Sequence, residues 1–272
     1  MYRGIRIRPN QASLWGGALL ALCSLPLSAA TFTAGATACG VPVTQTNQTG
    51  ASVSTGFLTC ASGQGSAAGR ADSGGVGASA DWYAFAGGLA QGSGQIDTTF
   101  VINGPGTGPI PVSINFELSG ALGGGTNAGL VSWREIENRA TIRATNAVGA
   151  VVYDYTGYAL EYFNASLNPG LTASFSGVLA PSGTNCLAPY CDIESPVFYV
   201  FPGFVNDLTL WARAKVSSGV AGSGYGLSSF LNTFGFDKDQ KVFNLPEGYT
   251  VTVEGMNLVD NCVVGEIGRA HV

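Results

Sequence analysis

Histidine is nearly missing from this chain, and the shortage removes whole classes of chemistry. The one histidine in 272 residues is His271, at the carboxyl end. That residue lies in a terminal heptapeptide that reads as translated sequencing adapter, so Ser-His-Asp and Cys-His nucleophilic sites are not expected, and a tetrahedral zinc site lacks a natural imidazole and a Cys-x-x-Cys pair. A Gly-x-Ser-x-Gly elbow, a His-Glu-x-x-His helix and a Walker lysine are absent too. Charge is scarce: 11% of residues are Asp, Glu, Lys or Arg, against about 25% in a typical domain. With a formal net charge of −5 and no basic cluster, the chain is unsuited to nucleic acid or an anionic membrane surface. Long apolar runs are lacking as well. The stretch from Leu14 to Leu27 is broken by Gly16, Gly17, Ser24 and Pro26 and falls short of the roughly 20 residues of a spanning helix.

That short run has a different use. Arg3, Arg6 and Arg8 precede it, and the small residues Ser28, Ala29 and Ala30 follow it, which is the pattern of a secretory signal peptide. Residues 1–30 are expected to be removed after Ala30. Leu22 stands before Cys23 where a lipobox has a small residue, and no paired arginines suggest a twin-arginine route. The expected location is the periplasm, the outer surface or the extracellular matrix, with no membrane span in the mature chain. At the other end, Glu266 to Val272 (EIGRAHV) reads as translated short-read sequencing adapter, so residues 266–272 are expected to be an artefact and the natural chain to continue past Gly265.

Between these ends the sequence is glycine-rich and apolar. Its 40 glycines are about twice the usual share of roughly 7%, yet 46% of the residues are hydrophobic. Enough apolar surface is present to build a core, and the glycines are expected mainly in turns and loops. Residues 31–80 are low in complexity, with only short β candidates such as Val53 to Cys60, and are expected to form an irregular entry region packed on or preceding the main domain. Residues 81–265 are expected to be a β-sandwich. Val112, Ile114, Phe116 and Leu118 alternate with polar residues, as do Leu208, Leu210, Ala212 and Ala214, and this period of two is that of a half-buried strand. Further strands are expected at Trp82 to Ala86, Ile96 to Ile102, Arg139 to Ala144, Ala150 to Tyr155, Ala159 to Asn164 and Leu171 to Leu179. Only Asn127 to Ala140 and Leu227 to Phe234 could hold a helical turn. The fold class is therefore all-β, an antiparallel, jelly-roll-like sandwich with Gly-rich loops and little helix.

Beyond residue 30 the cysteines are Cys39, Cys60, Cys186, Cys191 and Cys262, an odd number. Cys186 and Cys191 flank the short loop CLAPYC and are the first expected pair; Cys39 with Cys60 is the second. Cys262 is then left over, either a free thiol or partnered beyond Gly265. The remaining catalytic option is a pair of carboxylates, as glycosidases use. Glu135 and Glu137 lie beside Arg134 and Arg139 and read as a surface ion-pair cluster. Asp154 and Glu161, among Tyr153, Tyr155 and Tyr158, are candidates for carbohydrate binding, because aromatic rings stack on sugars and carboxylates accept hydroxyl hydrogen bonds. Asp237 and Asp239 could serve a loose calcium loop, although Val242 and Lys241 stand where an EF-hand needs glycine and an acceptor. Neither a cofactor nor a catalytic residue is expected.

Three phrases carry a family resemblance. The segment from Ser195 to Ser218, the residues Phe230, Leu231, Asn232 and Thr233, and the phrase with Leu245, Pro246, Gly248, Tyr249 and Val251 resemble the last third of PEP-CTERM-type exported proteins of Gram-negative bacteria. Ser79 to Leu89 is similar to that family's entry to its first core strand. The resemblance implies an exported β-sandwich sorted by a carboxyl-terminal tail, which is not found after Val253 here. The expected function is a non-enzymatic envelope or matrix protein, structural or adhesive, with exopolysaccharide or other envelope components as partners. A carbohydrate-binding module and a carboxylate-based glycoside hydrolase are the alternatives.

Overall fold

The computed structural model describes the backbone of residues 29–84, 87–119, 121–126, 131–146, 149–164, 167–176, 190–218, 224–236 and 240–264. Among these residues the chain is all β, with no helix. In chain order the strands are β1 (Thr31–Ala38), β2 (Val41–Asn47), β3 (Ala51–Ser54), β4 (Leu58–Cys60), β5 (Gly63–Asp72), β6 (Gly75–Ala84), β7 (Gly88–Asn103), β8 (Ile110–Ser119), β9 (Ala121–Thr126) and β10 (Val131–Asn146). They continue as β11 (Gly149–Asn164), β12 (Leu167–Ser176), β13 (Tyr190–Glu194), β14 (Phe198–Val200), β15 (Val205–Ser218), β16 (Gly224–Phe236), β17 (Phe243–Asn244), β18 (Thr250–Val253), β19 (Leu258–Val259) and β20 (Cys262–Val263).

Two antiparallel sheets form a sandwich. One runs β12-β11-β10-β15-β7-β1-β2, with β18 continuing the β7 edge beyond the end of β1; the other runs β13-β8-β16-β6-β5-β3 with short strands added to β8, β5 and β16. Consecutive strands β15 and β16 are inserted centrally in different sheets, β15 between β7 and β10 and β16 between β6 and β8. The phrase Phe230 to Thr233 coincides with an irregularity in β16, after which its partner changes from β6 and β9 to β6 and β8.

Several sequence-based expectations need correction. Residues 31–80 are not irregular: β1, β5 and β6 are regular strands of the two main sheets. Their inward positions are mostly Ala and Gly, which a hydrophobicity pattern reads as flat, yet β1 and β5 are alternately buried along their whole length. Ala150 to Tyr155 and Ala159 to Asn164 are one strand, β11, since Gly157 is paired on both sides, with Asn138 and Phe175. The two segments allowed a helical turn fall largely within β10 and β16, where cross-strand pairing on both flanks fixes extended backbone.

The core changes thickness along the strands. At one end it is aromatic: Phe32, Phe100, Phe116, Phe198, Phe234, Phe236 and Phe243 are all fully buried in one cluster. At the other end it is made of Ala36, Ala38, Ala67, Ala78, Ala80, Ala90 and Ala214, with Trp82 as its one large ring. Here the sheets touch backbone to backbone. A Cβ added at Gly92 would overlap the carbonyl oxygens of Ala68 and Ser79, one at Gly94 those of Arg70 and Gly77, and one at Gly69 those of Ser93 and Gly35. Only glycine allows this approach, because sheets faced by larger side chains pack about 10 Å apart. The Cys39–Cys60 disulfide lies beside this thin end, with both cysteines packed against its cluster.

Candidate functional site

The broad outer face of the first sheet is polar, because the alternation that buries Ile96, Leu208, Leu210, Ala140 and Ile142 turns the residues between them outward. Register aligns those outward residues in rows. Asp97 stands opposite Thr209 on one side and Thr31 on the other, and Thr209 in turn stands opposite Thr141. In the next row Asp207 stands between Thr99 and Arg143. The two aspartates are thus diagonal cross-strand neighbours, near enough for one small ligand to reach both.

These two rows line a cleft of about 310 Å³. Asp97 is held in place at both carboxylate oxygens: Thr209 Oγ1 donates to Oδ1 at 2.8 Å, and Gln95 Nε2 donates to Oδ2 at 2.7 Å. Asp207 and Arg143 are both exposed, and they form no ion pair among the described residues. Thr99 is only 7% exposed, and its Oγ1 is buried without a hydrogen-bond partner. Its neighbour Thr98 faces the other way and donates from Oγ1 to the Glu254 carbonyl at 2.7 Å, so the edge of the cleft is tied to the turn after β18. Beyond the cleft on the same face, Trp211 is half-buried with the Arg213 guanidinium 5.6 Å from its ring centre.

Of the five carbohydrate-binding candidates on β11, Tyr153 has its side chain among the described residues. Tyr153 faces the core: its ring lies 5.1 Å from that of Phe198, and its hydroxyl donates to the Tyr199 carbonyl, which ties the two sheets together. Asp154, Tyr155, Tyr158 and Glu161 lie on β11, with side chains outside the described residues. Asp237 and Asp239 lie outside the described residues, as does Cys186; its proposed partner Cys191 stands on β13 opposite Leu118. The Cys39–Cys60 disulfide is present, and Cys262 is free. Among the described residues no group of His, Cys, Asp and Glu could hold a metal ion.

Asp97, Thr99, Arg143, Asp207 and Thr209 escaped the sequence reading, although the alternation of Leu208 and Leu210 already put Asp207 and Thr209 on a wet face. What the sequence lacked was the register that sets β7, β10 and β15 side by side. No family model, no curated protein and no solved structure matches this chain.

Proposed function

We propose that the chain is an exported, non-enzymatic β-sandwich of the bacterial envelope or extracellular matrix, structural or adhesive in role, of the PEP-CTERM type. The observation that carries this reading is the thin end of the sandwich. Glycines there laminate the sheets by backbone contact, and a disulfide joins Cys39 to Cys60 beside them. Such a body is held by covalent and close-packed contacts of its own, which suits a protein that must persist outside the cell. Disulfides persist in oxidising compartments, which agrees with export.

Expression of the full chain in a Gram-negative host tests this. The protein is expected in the envelope or matrix fraction, without hydrolytic activity on the polysaccharides of that fraction. Recovery in the cytoplasm, or release of reducing ends from those polysaccharides, would contradict it. A second reading, carbohydrate binding, is favoured by the cleft between Asp97 and Asp207.

A further inference from the structure

We propose that the cleft on the outer face of the first sheet binds a neutral, polyhydroxylated sugar unit, with Asp97 and Asp207 accepting from neighbouring sugar hydroxyls and Arg143 donating to sugar oxygens. The assignment deepens the adhesive reading by naming a ligand class and the residues that take it, and it rests on that reading only for its biological use.

The chemistry of the lining selects the ligand. A sugar hydroxyl both donates and accepts, so vicinal hydroxyls are best met by acceptors and donors set a few ångströms apart. Asp97 supplies an acceptor whose orientation is fixed by Thr209 and Gln95. Asp207 and Arg143 supply an exposed acceptor and donor that are not consumed by one another. In the exported chain, cut after Ala30, the Thr31 ammonium opposite Asp97 joins Arg143 against the two carboxylates, which leaves no net charge to draw an anionic sugar. The guanidinium, in turn, opposes a bare cation. At about 310 Å³ the space is at the lower limit of ligand pockets, roughly 300 Å³, and suits one sugar unit rather than a longer segment.

Thr99 gives the independent indication of a ligand. Buried hydroxyls are almost always hydrogen-bonded, and leaving one unmet is unfavourable. The Thr99 Oγ1 lies buried and unpartnered in a residue that lines the cleft beside Asp207. Rotation of the Thr99 side chain about χ1 toward the cleft would let a ligand hydroxyl beside Asp207 satisfy it. Trp211 is not part of the assignment, because Arg213 already lies over its ring; recognition here is by hydrogen bonds rather than by stacking.

The test uses the full disulfide-bonded chain, titrated calorimetrically with oligosaccharides from mannan, β-glucan and galactan, with alginate oligosaccharides as the anionic arm and calcium chloride alone as the cation arm. At least one neutral oligosaccharide is expected to bind, and Asp207→Asn, Arg143→Gln and Thr99→Val should each weaken it by about tenfold or more. Asp207 and Arg143 are exposed, so melting temperatures of those two variants should stay at the wild-type value and folding failure cannot mimic the effect. Thr99→Val removes an unmet hydroxyl, so it should keep or raise the melting temperature while losing affinity. Binding unchanged in all three variants would overturn the assignment, as would binding of alginate or calcium alone, or of none of the probes. Release of reducing ends by the wild-type chain would overturn the non-enzymatic reading as well, whereas cytoplasmic localisation would overturn export and leave the cleft untouched.

Discussion

At the scale of single residues, the molecule depends on positions where no side chain is permitted. Gly92 is the sharpest case, because its missing Cβ is the space occupied by the Ala68 and Ser79 carbonyls of the facing sheet. Gly92→Ala is expected to destabilise the protein by about 1–3 kcal/mol, the cost of overpacking a closed core. Thermal unfolding should register this as a fall of roughly 2–10 °C for a chain of this size. Gly108, with nothing within 4 Å of its added Cβ, is the control, and Gly108→Ala should change stability by no more than about 0.5 kcal/mol. The disulfide is the second residue-scale feature. Its partners are 21 residues apart, and closing a loop of that length contributes about 3 kcal/mol by restricting the unfolded chain. Cys39→Ser combined with Cys60→Ser should lower the denaturation free energy by about that amount in denaturant titration.

At the scale of elements, stability is set by whether a strand is flanked on both sides. β15 is hydrogen-bonded to β7 along one edge and β10 along the other. Ala212→Pro would remove a ladder hydrogen bond in the middle of the sheet, and circular dichroism should show loss of the folded state or destabilisation of about 3 kcal/mol or more. β2 pairs only with β1 and already contains Pro42, so the backbone nitrogens two residues along face away from β1. Thr44→Pro should therefore leave both the fold and the unfolding midpoint near their wild-type values.

The same contrast explains what could be read in advance. Strands β8 and β15 were legible because large apolar residues alternate with polar ones, and that is the pattern a half-buried strand demands. β1 and β5 were illegible because, Phe32 apart, the positions they bury are Ala and Gly, chosen for close approach rather than apolar area. The cleft was legible only in part: Asp207 and Thr209 belong visibly to a wet face, but Asp97 is brought to them by long-range register, which no local pattern encodes. Tyr153 looked like a sugar platform in sequence and is a packing residue in the fold, held against Phe198 between the sheets.

At the scale of the whole molecule, the sandwich is a wedge, aromatic and thick at one end, glycine-laminated at the other. The polar cleft lies outside the sheet that carries Ile96 and Leu208 inward, in the part where the core is thick. Substitutions in the cleft are thereby separated from substitutions in the lamination, and ligand binding and stability should vary independently. The account joins this body to an exported, non-enzymatic role, and the joint is open to one direct measurement: the intact mass, under non-reducing conditions, of the protein recovered from outside the inner membrane of a Gram-negative host. The account predicts a chain that begins at Thr31, with Cys39 and Cys60 oxidised to a disulfide. A chain retaining residues 1–30, with both of those thiols free, would contradict it.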